Sequence, residues 1–153
     1  MSYEKMAENS RCYNKAERRQ AMKLTDKEIN AVVAQPSDVR YNYSLKRIAD
    51  NHSLWCLYSG ENGYMFIQEK GVKLFPIWPC KEYANQYLLT VGFEKDCRCV
   101  EIDIEKFSNE FVGYPCETGI SIGVFPVAEN DYGKIVSVNN FAEDLSVELE
   151  NYI

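Results

Sequence analysis

Between residues 54 and 77 the apolar positions come in three short runs, Leu54 to Tyr58, Tyr64 to Gln68 and Val72 to Ile77, separated by Ser59-Gly60-Glu61-Asn62-Gly63 and Glu69-Lys70-Gly71. Short β-rich runs between glycine turns read as strands, and Asn62-Gly63 and Lys70-Gly71 supply the positive backbone angles that tight connections need. The pattern therefore predicts a meander of three antiparallel strands, with Pro76 marking an edge or a strand end. Upstream the period is helical. Thr25 followed by Glu28 reads as a capping box ahead of Ile29, Val32 and Val33, giving a short helix that ends near Gln35. Pro36 and Ser37 open a second helix to about Asn51, with Val39, Tyr43, Ile48 and the stem of Arg47 on its inner side. Downstream, a helix beginning near Pro79 carries the stripe Tyr83, Ala84, Tyr87 and Leu88. Val100, Ile102 and Ile104 alternate with Glu101 and Asp103, a half-buried strand leading into a helix from about Ile104 to Phe111. Ile120 to Phe125 and Ile135 to Val138 read as strands flanking the turn-rich Glu129-Asn130-Asp131-Tyr132-Gly133. Asn139 or Asn140 is the expected cap of a last helix, with Phe141, Leu145, Leu149 and Tyr152 on one face and Glu143, Asp144, Glu148 and Glu150 left to water. These elements add up to one α+β domain over residues 25–153, a largely antiparallel sheet covered by helices. Residues 1–24 have weak periodicity and read as a basic arm, either a loosely attached helix or partly disordered.

Three stretches resemble a known family. They are Arg40-Tyr41-Asn42-Tyr43-Ser44-Leu45-Lys46-Arg47-Ile48-Ala49-Asp50 with the following Leu54-Trp55-Cys56-Leu57, then Phe75-Pro76-Ile77-Trp78-Pro79 with Glu82 and Ala84, and late in the chain Ile122-Gly123-Val124-Phe125-Pro126. Their order and spacing are similar to a widespread bacterial family of domains of unknown function, over roughly Arg40 to Ile153. The resemblance implies a fold and no activity. The basic arm and first helix stand outside it.

Composition sharpens this picture at a few points. A chain of 153 residues is long enough for one core that buries about two-thirds of the unfolded surface. The richest apolar stretch, Val72 to Trp78, is interrupted by Lys73 and Pro76 and falls far short of the roughly 20 residues a membrane span requires. The first residues carry Glu4, Glu8 and Glu17 and no apolar segment of the kind a secretory signal needs. A cytoplasmic protein with no membrane association is expected. Accordingly Cys12, Cys56, Cys80, Cys97, Cys99 and Cys116 are expected as free thiols.

Charge is unevenly spread. Residues 1–24 hold six bases against three acids, residues 25–93 hold seven of each, and the rest of the chain holds thirteen acids against Lys95, Arg98, Lys106 and Lys134. Nucleic acid binding, which draws its affinity from clustered Lys and Arg, is disfavoured. A basic protein partner would be steered toward such a field.

Candidate chemistry is sparse. Gly119-Ile120-Ser121-Ile122-Gly123 fits the G-x-S-x-G string of a nucleophile elbow. That motif needs a strand, a strained turn and a helix, with histidine later in the chain. Here Ile120, Ile122 and Val124 alternate as one strand and the single histidine, His52, comes first. Cys97 and Cys99 could join Cys80 or Cys116 around a metal, but a lone C-x-C is a weak signal. A thiol nucleophile would require His52 to meet Cys80 or Cys116 in space. Glu101 and Asp103 share one strand face, and Trp55, Trp78, Tyr64 and Phe66 have the spacing of core residues. No glycine-rich loop precedes a helix as phosphate binding would need. No catalytic residue, metal or cofactor is therefore expected.

The expectation that follows is a non-catalytic acidic binding protein, more sharply an immunity protein that occludes a cognate bacterial toxin domain, a basic and nuclease-like partner. Its expected contact residues are Glu129, Asp131, Glu143, Asp144, Glu148 and Glu150, with Tyr132 as an aromatic anchor. The alternative is a small-ligand sensor or minor enzyme with a cleft near Trp78, Cys80 and Tyr83.

Overall fold

Helices α1 (Asp26–Val33) and α2 (Ser37–Asn51) are the first described elements of the chain. A computed structural model describes residues 24–60, 63–69, 71–92, 96–111 and 120–151; residues 1–23 of the basic arm, with Cys12, Cys116, Gly119 and Tyr152, lie outside the described residues. Thr25 caps α1, its Oγ1 accepting from the Glu28 amide at 3.1 Å. Only half of the expected capping box forms, because the Glu28 carboxylate reaches across to Tyr43 and Arg47 of α2. The buried face of α2 is Arg40, Tyr41, Ser44, Leu45, Ile48 and Ala49. Val39, expected inside, is 46% exposed. The polar Arg40 and Ser44 within the true stripe hid it from the sequence reading. His52, with φ of 58°, ends α2 by donating its amide to Ile48 O at 2.8 Å.

The strands are β1 (Ser53–Ser59), β2 (Gly63–Tyr64), β3 (Ile67–Glu69), β4 (Val72–Ile77), β5 (Cys97–Asp103), β6 (Ile120–Val124) and β7 (Lys134–Ser137). The single expected meander becomes two sheets, ordered β2-β1-β5 and β3-β4-β6-β7. Residues 63–69 change sheet midway: β2 pairs with β1, and β3 pairs with β4. Tyr64 and Phe66 on either side of Met65 both pack on the Phe75 ring, with centroids 6.0 and 5.4 Å away. The backbone bends between them around that ring, so the run cannot pair as one straight strand. The sheets meet again where Trp55 and Trp78 exchange backbone hydrogen bonds of 2.8 and 2.9 Å. Among the described strands all pairings are antiparallel except β4 with β6, which run parallel. Pro76 lies beyond the reach of β3, whose partners on β4 stop at Leu74, and one residue before the strand ends. The strand-end reading of that proline holds. The edge reading does not, because β4 sits inside its sheet.

Helices α3 (Lys81–Val91), α4 (Ile104–Phe111) and α5 (Val138–Glu150) complete the described elements. The expected start and stop of α4 are met, and Asp103 Oδ1 accepts the Lys106 amide at 2.7 Å. The cap of α5 is Ser137, whose Oγ accepts from the Asn140 amide at 3.0 Å, in place of the expected Asn139 or Asn140. Both sheets and the helices share one buried cluster, including Ile48, Leu54, Ile77, Phe107, Val124, Phe141 and Leu145. The α+β class stands.

Candidate functional site

Two surfaces contain the acids and the tyrosine that the sequence singled out. The first is a groove at the junction of α1 and α2 with the loop before β7. Arg40 points from the first turn of α2 toward this loop and is only 2% exposed. Its guanidinium donates from Nε to Phe125 O at 3.2 Å, from Nη1 to Gln35 O at 2.6 Å and from Nη2 to Asp131 Oδ1 at 2.7 Å. Asp131 Oδ1 also accepts the Gly133 amide at 3.0 Å, so two donors converge on one carboxylate oxygen. Phe125 lies beneath, with its ring 5.8 Å from the guanidinium carbon. Its φ of 65° is a left-handed conformation that a bulky residue rarely adopts. The turn out of β6 enforces it: Phe125 donates its amide to Ile77 O at 2.8 Å, and Trp78 Nε1 donates to the next carbonyl, Pro126 O, at 2.9 Å. Gly133 closes the opposite side, where a Cβ would stand 2.1 Å from Val124 O. The groove has a volume of about 580 Å³ and its walls include Gln35, Ser37, Arg40, Asp131, Tyr132 and Ile135.

The second surface is the outer face of α5. Glu143, Asp144 and Glu150 are exposed and Glu148 is half-buried. Val147, between them, is 62% exposed. No lysine or arginine occurs in α5. Asp144 is tied to α2, accepting the Tyr41 hydroxyl at 2.5 Å. Burial, reinforced by that carboxylate, pushes the Tyr41 phenol well above its usual range. Asn151 Nδ2 donates to Glu148 Oε2 at 3.5 Å. The structure thus gathers Glu143, Asp144, Glu148 and Glu150 on one helix. It places Glu129, Asp131 and Tyr132 together on the other surface, around the Ala128–Asp131 turn. Of these, Glu129 is exposed and Asp131 is turned inward onto Arg40.

The cleft expected near Trp78 is not open at those residues: Trp78 and Cys80 are fully buried and Tyr83 is 2% exposed. Tyr83 belongs to a polar network beneath α1. The Tyr43 hydroxyl sits 2.8 Å from both Glu28 Oε2 and the Tyr83 hydroxyl, and Arg47 Nη2 lies 2.7 Å from Glu28. Burial pushes the Tyr43 hydroxyl up to about 12 and the Cys80 and Cys56 thiols up to about 12. Cys56, Cys80, Cys97 and Cys99 are free thiols. Cys97 and Cys99 stand opposite Ser59 and Leu57 on one face of β5, with Cys99 Sγ donating to Asn85 Oδ1 at 2.7 Å. Ser121 sits inside β6 between Leu74 and Ser137, and the strand runs on to Val124 with no elbow there. Glu101 accepts the Ser53 hydroxyl at 2.7 Å. Among the described residues no group of three His, Cys, Asp or Glu side chains is placed to hold a metal, and no helix is long and apolar enough to cross a membrane.

Arg40 is the residue that sequence reasoning missed. Its signal was present: it stands four and eight positions before Ser44 and Ile48 on the buried row of α2, and it opens the first of the resembling stretches. A cation on the inner row of an amphipathic helix needs a buried partner, and that requirement pointed to an acid elsewhere in the chain.

A family model described as protein of unknown function (DUF2750) matches residues 41–145. The match spans all three resembling stretches except Arg40 and ends within α5. No curated protein and no solved structure matches the chain.

Proposed function

The chain belongs to the DUF2750 family of proteins of unknown function, and from that premise we propose that it is a binding protein that engages a basic protein partner through the outer face of α5. The observation that carries this reading is where the acids of α5 lie. Carboxylates stabilise a helix near its N-terminus and weaken it near its C-terminus. Here the first turn holds no acid, whereas Glu148 and Glu150 stand in the last turn, with no base to offset them. Helix stability does not account for that arrangement; attraction of a cationic surface does. Val147 supplies an apolar centre with an acidic rim around it, the division of labour common at protein interfaces. In the sharper form of the proposal the partner is a bacterial toxin domain, which this cytoplasmic protein occludes without chemistry of its own.

The test is pull-down with the full chain and with E143K/E148K. Both positions are open to solvent to some degree and neither holds the Tyr41 hydroxyl, so the fold is expected to survive the change. The expected result is a basic partner recovered by the wild type. Its association should slow between low and physiological salt and be about tenfold slower again for the variant, while dissociation changes less. Equal capture and equal salt dependence for the two proteins would end the acidic-face reading.

A further inference from the structure

Arg40 is a buried cation beside a residue held in a strained backbone conformation. A guanidinium is held 3% exposed, beneath a loop that keeps Phe125 in a left-handed conformation, at the wall of an open groove. A strained residue can mark a ligand site, and the groove over Arg40 is open to solvent. The groove contains a carboxylate that belongs to the chain. Asp131 Oδ1 receives both Arg40 Nη2 and the Gly133 amide, yet the Asp131 side chain is 41% exposed and rides on a surface turn, while Arg40 is fixed by two backbone carbonyls. The buried half of the pair is the cation; the half that solvent reaches is the anion. Around them Gln35, Ser37 and Tyr132 offer polar groups, and Val33 and Ile135 an apolar flank.

We propose that this groove is a binding site for a small organic carboxylate, which takes the place of the Asp131 carboxylate on Arg40 while its apolar part lies against Tyr132 and Ile135. Asp131 is then an internal stand-in for the ligand, and it sets the affinity by competing for the same donors. A carboxylate fits because Asp131 already shows one in place, a single oxygen receiving both Arg40 Nη2 and the Gly133 amide in charge-assisted hydrogen bonds. The inference uses none of the α5 acids and stands or falls separately from the partner reading above.

The probe is benzoate, with benzamide as its neutral counterpart and inorganic phosphate as a different anion. Each is titrated into the full-length wild type and D131N while ¹H–¹⁵N correlation spectra are recorded. In D131N the amide oxygen can still accept from Gly133, but the competing charge is gone. Saturable shifts at the Gly133 and Ser37 amides and at Arg40 Nε are expected with benzoate and not with benzamide. Affinity should rise about fivefold or more in D131N, the worth of removing a partly exposed ion-pair competitor. Should D131N fold poorly, the contrast between benzoate and benzamide in the wild type decides. Equal shifts with benzamide, equal binding of phosphate, or benzoate binding that D131N weakens would each overturn the proposal.

Discussion

At Gly133 the absence of a side chain has a measurable consequence. Its φ is 76°, and an added Cβ would meet the backbone of Val124 and Phe125 at 2.1 to 2.8 Å. Gly71, with φ of 80°, has nothing within 4 Å of the same position. Alanine at Gly71 therefore carries only the left-handed backbone penalty, about 1–2 kcal/mol. Alanine at Gly133 adds a clash with rigid backbone, and it should cost clearly more, about 3 kcal/mol or above. Urea denaturation of the two variants checks the order; a G133A protein as stable as G71A would mean that the loop over Arg40 yields freely. The glycines were visible in the sequence as turn formers. That one of them admits a close backbone approach was not, because the approach depends on how the turn folds back onto the end of the neighbouring strand β6.

Among the elements, α1 depends on its attachment to α2 and α3, since none of its residues is fully buried. Ile29, Val32 and Val33 pack against the core, and the Glu28 carboxylate receives the Tyr43 hydroxyl and Arg47. The Tyr43 hydrogen bond and then Arg47 hold the Glu28 carboxyl below its ordinary value of 4.5, burial opposing them in part. A carboxyl whose folded value is depressed contributes stability above its unfolded value and loses it as pH falls through the folded one. E28Q should accordingly be less stable than the wild type at pH 7, by no more than about 1 kcal/mol because both side chains remain partly exposed. The difference should shrink below pH 4.5 and close in stronger acid. A gap between the two melting curves that stayed constant from pH 7 to pH 3 would contradict this assignment. The sequence located both helices and the Thr25 cap. It assigned Glu28 to the local capping box, whereas the tertiary fold offered that carboxylate a cation and a hydroxyl.

For the molecule as a whole, the two sheets share one core and are joined by the Trp55–Trp78 backbone pair. Neither sheet can expose its inner face without opening the other, so a single cooperative transition is expected. Unfolding in urea followed by tryptophan fluorescence, which reports the seam, and by far-ultraviolet circular dichroism, which reports the helices, should give one coincident midpoint. Two separated midpoints would show the sheets to be independent units. The uneven charge belongs to this scale as well. Thirteen acids lie after residue 93; four of them stand on α5, while Asp103 caps a helix and Asp131 is turned inward onto Arg40.

By itself the sequence determined the local elements. Helical and two-residue periods, glycine turns and the Ile104–Phe111 boundaries all follow from neighbours a few positions apart, and the α+β class follows from their order. The resembling stretches also located the family. Only the tertiary structure decided that the run from Gly63 to Glu69 serves two sheets, that β4 pairs with β6 in parallel, and that Arg40 meets Asp131. A two-residue period is the same in parallel and antiparallel pairs, and no local pattern says which ring a strand will bend around. The Arg40–Asp131 pair joins residues 91 positions apart, and its burial is fixed by where the turn after β6 returns the chain.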